Sequence, residues 1–334
     1  SHLNFELDGL VSEDTAIFDI AGLAANVGLS NWHDPRLWNM AKLSFSERYV
    51  PIYADHLCRI LAAKLGKSRR CLILDLDNTL WGGVIGDDGI EGILIGNGNA
   101  VGEAHLYLQK VILELRERGV VLAVSSKNED LTARKPFKEH PDMLIREEHI
   151  AVFQANWTDK ASNILAIAET LSLGLESLVF LDDNPAERMQ VRKELPEVAI
   201  PELPQDPALY ARTLIAAGYF ESTSFSMEDQ KRADFYQDNA KRAQVLNQSS
   251  DINGYLTSLD MKMTLDKFDS AGRSRISQLI NKSNQFNLTT KRYNEVDIEK
   301  IENDECFYTR QIRLKDVFGD NGMVSVIICH KGTD

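Results

Sequence analysis

Asp75 and Asp77 stand two residues apart behind the run Cys71-Leu72-Ile73-Leu74, and Thr79 and the segment Gly82-Gly83-Val84-Ile85-Gly86 follow them. The four apolar residues predict a buried parallel strand. Residues i and i+2 of a strand face the same side, so the two carboxylates would sit together, repelling each other and short of solvent. The C-terminal end of the strand, where open α/β sheets place their ligands, suits them, and a divalent cation makes the pair favourable. Two later strand ends carry matching groups. Val120–Val124 runs into Ser125-Ser126-Lys127-Asn128, and Ser177–Leu181 runs into Asp182-Asp183-Asn184-Pro185, with Lys160 opening a helix between them. Acids from two strand ends can hold one Mg²⁺, and a lysine and a hydroxyl supply the donors that a phosphoryl group needs. One carboxylate can then attack phosphorus to form an aspartyl-phosphate, while the other protonates the leaving alkoxide and later deprotonates water. Singly, each signal is bland. An Asp-x-Asp pair is common, a lone Ser125 would serve as a helix N-cap, and a lone Lys160 would be a solvated helix residue. The ordered set at successive strand–helix junctions is what points to phosphoryl transfer.

The elements that must position these groups alternate. A helix over Glu103–Arg118 carries Leu106, Val111, Ile112 and Leu115 at helical spacing, and Gly119 ends it. Helices are predicted over Leu131–His140, broken by Pro136, from Lys160 to Leu173 and over Ala186–Glu194. Short strands are predicted at Ala151–Phe153 and Val198–Ile200. Val84–Ile95, rich in glycine around Gly86-Asp87-Asp88-Gly89, reads as a hairpin. Strands alternating with helices predict a doubly wound parallel sheet, an α/β domain over residues 69–224.

Residues 1–68 read as an N-terminal arm. Within it, Thr15–Ile20 is a candidate strand, Asn31–Arg36 a loop and Val50–Lys67 a helix, while Ser1-His2 is read as a tag remnant. After Phe225 the pattern becomes α+β. A long polar helix is predicted over Met227–Asn247, a short one over Asp251–Leu259, a strand over Met261–Phe268 and a helix over Ala271–Ser283. Antiparallel strands at Arg310–Leu314 and Met323–Cys329 follow, joined by a turn at Phe318–Gly322. This second domain, residues 225–334, stops soon after a strand and is expected to be truncated.

The 334 residues are 43% hydrophobic and 26% charged, ordinary for a globular protein. A net charge of −13, with no run of Lys and Arg, argues against nucleic acid as a partner. Cys58, Cys71, Cys306 and Cys329 form no Cys-x-x-Cys pair, so neither a zinc site nor a disulfide framework is expected. No signal peptide or apolar run of membrane-spanning length is present, which predicts a cytoplasmic protein without membrane contact.

Asp75-x-Asp77-x-Thr79 resembles motif I of the haloacid dehalogenase (HAD) phosphotransferases. Ser125 resembles motif II, Lys160 motif III and Asp182-Asp183 motif IV. The resemblance implies Asp75 as nucleophile and Mg²⁺ ligand, and Asp77 as general acid/base whose main-chain carbonyl also binds the metal. It further implies Ser125 and Lys160 holding the phosphoryl group, Asp183 as direct metal ligand and Asp182 close by. Trp81–Ile95 takes the place of the squiggle and a short flap hairpin, with no large cap, so the site is expected to admit a bulky or protein-borne substrate.

Leu74–Gly86, Ser126-Lys127-Asn128, Asp182–Arg188 and Leu279–Asn287 narrow the resemblance to the FkbH-like branch. Members of that branch remove both phosphates of 1,3-bisphosphoglycerate and load the glyceryl unit onto the phosphopantetheine of an acyl carrier protein in polyketide pathways. The resemblance implies a GNAT-like fold for the C-terminal domain and a remnant of an SGNH-like domain in the arm. Thr79, Lys127, Asn128, Asn184 and Arg188 are candidate substrate-binding residues, with a helix-surface position weighed equally for Arg188. Cys71 and Cys58 are read as packing residues, and Cys306 and Cys329 as more structural than catalytic. Asn281, Asn284, Gln285 and Asn287 either line a pocket or form a polar turn. A stand-alone phosphatase acting on a small phosphomonoester, and a non-catalytic scaffold for carrier proteins, are the alternatives.

Overall fold

The computed structural model describes residues 16–222, 227–248, 251–282, 287, 289 and 291–332. The chain forms two compact units, residues 1–237 and 238–334, and the division falls within the helix Met227–Gln248. No helix among the described residues is long and apolar enough to cross a membrane.

The first unit is built on a four-stranded parallel sheet of β1 (Cys71–Leu74), β2 (Val121–Ser126), β3 (Ile150–Ala155) and β4 (Leu178–Leu181), in the order β3-β2-β1-β4. β1, β2 and β4 are buried along their whole length, as continuous apolar runs covered on both faces require. The chain moves from β1 outward to β2 and β3, then returns to place β4 on the other side of β1. The order therefore reverses at β1, and a crevice opens beyond the carboxyl ends of β1 and β4. The helices Ala100–Glu117, Asp130–Glu139, Lys160–Leu171 and Pro185–Glu194 supply the crossovers and cover. Trp81, Phe137 and Phe153 meet edge to face beneath the loops, with ring centroids 5.9 and 5.5 Å apart.

Several sequence expectations are corrected. Val84–Ile95 is not a hairpin. Ile85–Gly92 is helical, interrupted at Gly89 (φ 66°), and the expected pairing shrinks to one antiparallel bridge between Gly82 and Leu94. Asp87 and Asp88 stabilise the first helical turn, where the free amides favour negative charge, and Asp88 Oδ2 accepts the Val84 amide at 2.7 Å. Val198–Ile200 contributes only a bridge between Val179 and Ala199, not a fifth strand. Pro136 lies inside its helix instead of breaking it. In the arm, the candidate strand gives way to the helix Ile20–Val27, capped by Asp19; Thr15 falls outside the described residues. The expected loop at 31–36 is partly helical, with Asp34 capping Pro35–Ala41. The arm helices pack Leu23, Ala24 and Trp32 against Phe45, Tyr49 and Tyr53.

The second unit carries an antiparallel sheet of β5 (Lys262–Asp266), β6 (Phe307–Lys315) and β7 (Asp320–His330), in that order. Phe268, Ile276, Ile280, Ile298 and Met323 form its small core with the helices Arg273–Lys282 and Glu295–Asn303. Asn281 donates to the Tyr293 carbonyl at 3.0 Å and Asn287 to that of Lys291 at 2.9 Å, which makes both turn-stabilising; Asn284 and Gln285 lie outside the described residues.

Candidate active site

Asp75 follows β1 directly, and its amide donates to the Leu181 carbonyl at 2.9 Å, so β4 fixes where the carboxylate starts. Asn78 sits in the left-handed region (φ 55°), which asparagine tolerates better than most residues, and its Oδ1 accepts the Gly83 amide at 2.9 Å. A Cβ on Gly82 would lie 2.9 Å from Val101 Cγ1, so this close approach of loop to helix requires glycine. From below, His105 Nδ1 lies 2.9 Å from the Thr79 carbonyl, and Gln109 Nε2 donates to that of Leu80 at 3.0 Å. Gln109 Oε1 accepts the amides of Leu144 and Ile145. His105 and Gln109 are i and i+4 on the buried face of one helix, and polar residues on an apolar stripe were the available sign of this role.

Lys160, the first residue of its helix and capped by Asp159, is only 2% exposed. Its ammonium donates to Asp75 Oδ1 and to the Ser125 carbonyl at 2.6 Å, and lies 3.4 Å from Asp182 Oδ2. Thr79 Oγ1 is 3.5 Å from Asp75 Oδ2 and 3.3 Å from Asp183 Oδ1, and it accepts the Asp183 amide at 3.1 Å. Oxygens of Asp75, Asp182 and Asp183 lie within 4.8 Å of one another.

The electrostatics of this cluster call for a cation. Burial pushes the Asp75 carboxyl up, against the pull of Lys160. Burial, with the neighbouring charge of Asp75, pushes Asp182 up to about 7, and the same causes raise Asp183. Burial pulls the Lys160 ammonium down, but Asp75 and Asp182 outweigh it and hold it above the usual lysine value. Two buried acids and a half-buried one against one ammonium leave negative charge uncompensated. Ser125 Oγ is buried without a hydrogen-bond partner among the described residues, and Asp182 Oδ2 has only the Lys160 ammonium, 3.4 Å away. A buried polar atom left unpaired costs about 1–3 kcal/mol, and such atoms in a crevice mark where a ligand completes the bonding. The all-oxygen donor set fits a hard cation such as Mg²⁺.

Asp77 is held apart from this cluster. Its Oδ1 accepts Trp81 Nε1 at 2.9 Å and the Ile85 amide at 3.0 Å, and its Oδ2 accepts Asn128 Nδ2 at 2.7 Å. Its carboxylate is not in the three-acid group, so only its main chain is left as a metal donor. Asn128, one of the expected substrate-binding residues, therefore orients Asp77. Arg188 is turned inward, 2% exposed, and donates to the carbonyls of Asp182 at 2.8 Å and Asp183 at 2.6 Å and to Glu202 at 2.6 Å. Its guanidinium supports the acidic turn from inside, which corrects the helix-surface reading. Asn184 caps the Pro185–Glu194 helix through the Ala186 amide at 2.9 Å. Lys127 remains partly exposed, paired with Glu187 at 2.6 Å.

No family model matches this sequence, and no curated protein does either. Among solved structures, the chain is similar to the N-terminal part of the Bacteroides fragilis protein BF1531, which contains a phosphatase domain and was crystallised with Mg. The identity is 42% over 67% of this chain, with a TM-score of 0.64, and the chain spans 60% of the length of that structure. A protein of Legionella pneumophila assigned to the HAD superfamily (subfamily III A) hydrolases matches at 17% identity over 62% of this chain and 99% of the other. Its TM-score is 0.29, too low for the two folds to be equated.

Proposed function

We propose that this chain is a Mg²⁺-dependent phosphatase of the HAD type working through a phosphoaspartate on Asp75. More specifically, we propose that it strips both phosphates from 1,3-bisphosphoglycerate and delivers the glyceryl unit to the thiol of an acyl carrier protein. The observation that carries the phosphatase reading is the convergence of Asp75, Lys160, Ser125 and the Asp182–Asp183 turn on one crevice, with Ser125 Oγ buried and unpartnered. The B. fragilis phosphatase domain crystallised with Mg supports the choice of metal.

Asp75, Asp182 and Asp183, with the Asp77 carbonyl, would hold Mg²⁺, which when bound supplies positive charge against the phosphoryl oxygens. Lys160 and Ser125 donate hydrogen bonds to those oxygens. Asp75 attacks phosphorus and the alkoxide leaves with a proton from Asp77, which then takes a proton from the water that hydrolyses the phosphoaspartate. Trp81, Ile85 and Asn128 fix the Asp77 carboxylate for both transfers. An acyl phosphate is already activated, so a thiol attacking its carbonyl gives a thioester and free phosphate without ATP. Cys71 is buried, and burial pushes its thiol up, so it is no acyl carrier. We assign the acceptor thiol to the partner's phosphopantetheine. We read the second unit as a GNAT-like acyl-handling body and residues 1–68 as an SGNH-like remnant.

The test is intact-mass analysis of a carrier protein incubated with enzyme, Mg²⁺ and 1,3-bisphosphoglycerate. A glyceryl adduct with phosphate release is expected. Phosphate release without an adduct leaves a stand-alone phosphatase, and unchanged pathway output in cells carrying Asp75→Asn leaves only a docking scaffold.

A further inference from the structure

We propose that a cleft at the opposite, N-terminal edge of the parallel sheet is a second anion site, built for a small phosphate-bearing ligand. Its walls come from residues just before β1 and β2, whereas Asp75 and Ser125 lie at the far ends of those strands. A four-residue strand separates the two edges by roughly 13 Å. The cleft has a volume of about 200 Å³ and is lined by Arg69, Arg70, Arg118, Arg232, Ser68 and Glu221, among others. Four arginines and one acidic residue line it, in a chain whose net charge is −13.

A purely structural role accounts for part of this set. Arg69 donates to the carbonyls of Glu176 and, at 2.8 Å, Glu197, and Arg118 donates to that of Phe220 at 3.1 Å. Cations near helix C-termini are favourable in any case. Each guanidinium has five N–H donors, so these bonds position Arg69 and Arg118 without exhausting them. Arg70 is different. It is exposed, and its side chain makes no hydrogen bond or ion pair among the described residues. It stands close enough to Arg232 for its like charge to add to the effect of burial in lowering the Arg232 pKa. Arg232 has a contact of its own, and a guanidinium so engaged still has donors to spare; two guanidinium groups lining one concave surface gain from an anion between them, and their planar forks match phosphate oxygens in pairs. The small volume favours a phosphate or diphosphate group over a peptide segment.

Calorimetric titration of the full chain with pyrophosphate in EDTA tests the site, because chelation removes the metal-assisted alternative. Saturable one-to-one binding is expected. It should weaken at least tenfold in Arg70→Gln/Arg232→Gln, a variant whose phosphatase turnover with Mg²⁺ stays at the wild-type level, and be unchanged in Ser125→Ala. If the double variant does not fold, Arg70→Gln alone, at an exposed position, should still weaken binding measurably. Absence of saturable binding overturns the proposal. So does binding lost in Ser125→Ala and kept in the arginine variants, which would place the anion in the phosphoryl site.

Discussion

Thr79 and Asp183, 104 residues apart, are joined twice: the Thr79 hydroxyl lies 3.3 Å from Asp183 Oδ1 and accepts the Asp183 amide at 3.1 Å. The same hydroxyl is 3.5 Å from Asp75. One threonine thus sets the spacing between acids from β1 and β4. Thr79→Val keeps the shape and removes these contacts. Partners that orient metal ligands are typically worth 10–100-fold in affinity or activity. Mg²⁺ titration of Thr79→Val should show a loss in that range with an unchanged circular dichroism spectrum; wild-type Mg²⁺ affinity would refute the role.

Arg188 supports the turn that carries Asp182 and Asp183. Replacing it by Met leaves two buried carbonyls short of a donor, and about 2–4 kcal/mol of destabilisation is expected in urea melts. Its partner Glu202 has a side chain 66% exposed, so Glu202→Gln should cost no more than about 1 kcal/mol. Equal losses in the two variants would mean that the ion pair, and not the carbonyl bonds, sustains the turn.

The acids of the site should also make metal-free stability depend on pH. Asp182 titrates near 7 when folded and near 3.8 when unfolded. Between those values the folded chain holds a proton that the unfolded chain has released, so stability falls as pH rises from about 4 to about 7 and then levels off. Asp75 and Asp183 are shifted in the same direction. One such proton gives a slope of at most about 1.4 kcal/mol per pH unit. Urea melts in EDTA should show this fall, with a smaller slope in Asp182→Asn and flattening on adding Mg²⁺. An identical slope in Asp182→Asn would refute the assignment.

What was legible in the sequence follows from how each element is stabilised. β1, β2 and β4 are buried on both faces and read as unbroken apolar runs, so their ends, and the acids there, could be placed in order. Gly86-Asp87-Asp88-Gly89 misled because the same residues that favour a tight turn also favour the start of a helix, and Asp88 capping the Val84 amide decided between them. Val198–Ile200 has strand composition but only one bridged partner. The inward turn of Arg188 was hidden because its acceptors are main-chain carbonyls, which no residue type advertises. The Asn128–Asp77 bond joins residues 51 apart, which spacing alone does not reveal.

That bond gives the sharpest test of the acid/base assignment. Asp77 accepts three hydrogen bonds, which fix the carboxylate that would hand a proton to the leaving alkoxide. Removing one, in Asn128→Ala, should slow Mg²⁺-loaded single turnover by roughly 10- to 100-fold. Asn128→Asp puts a like charge in place of a donor 2.7 Å away and should slow it further. Trp81→Phe, which removes the indole donor to the other oxygen, should act in the same direction as Asn128→Ala. If Asp77 protonates the leaving alkoxide, all three losses must shrink on an ester with a nitrophenolate leaving group, which departs without a proton. Equal losses on both kinds of ester would mean that Asn128 and Trp81 only support the loop, and that the proton donor is not Asp77.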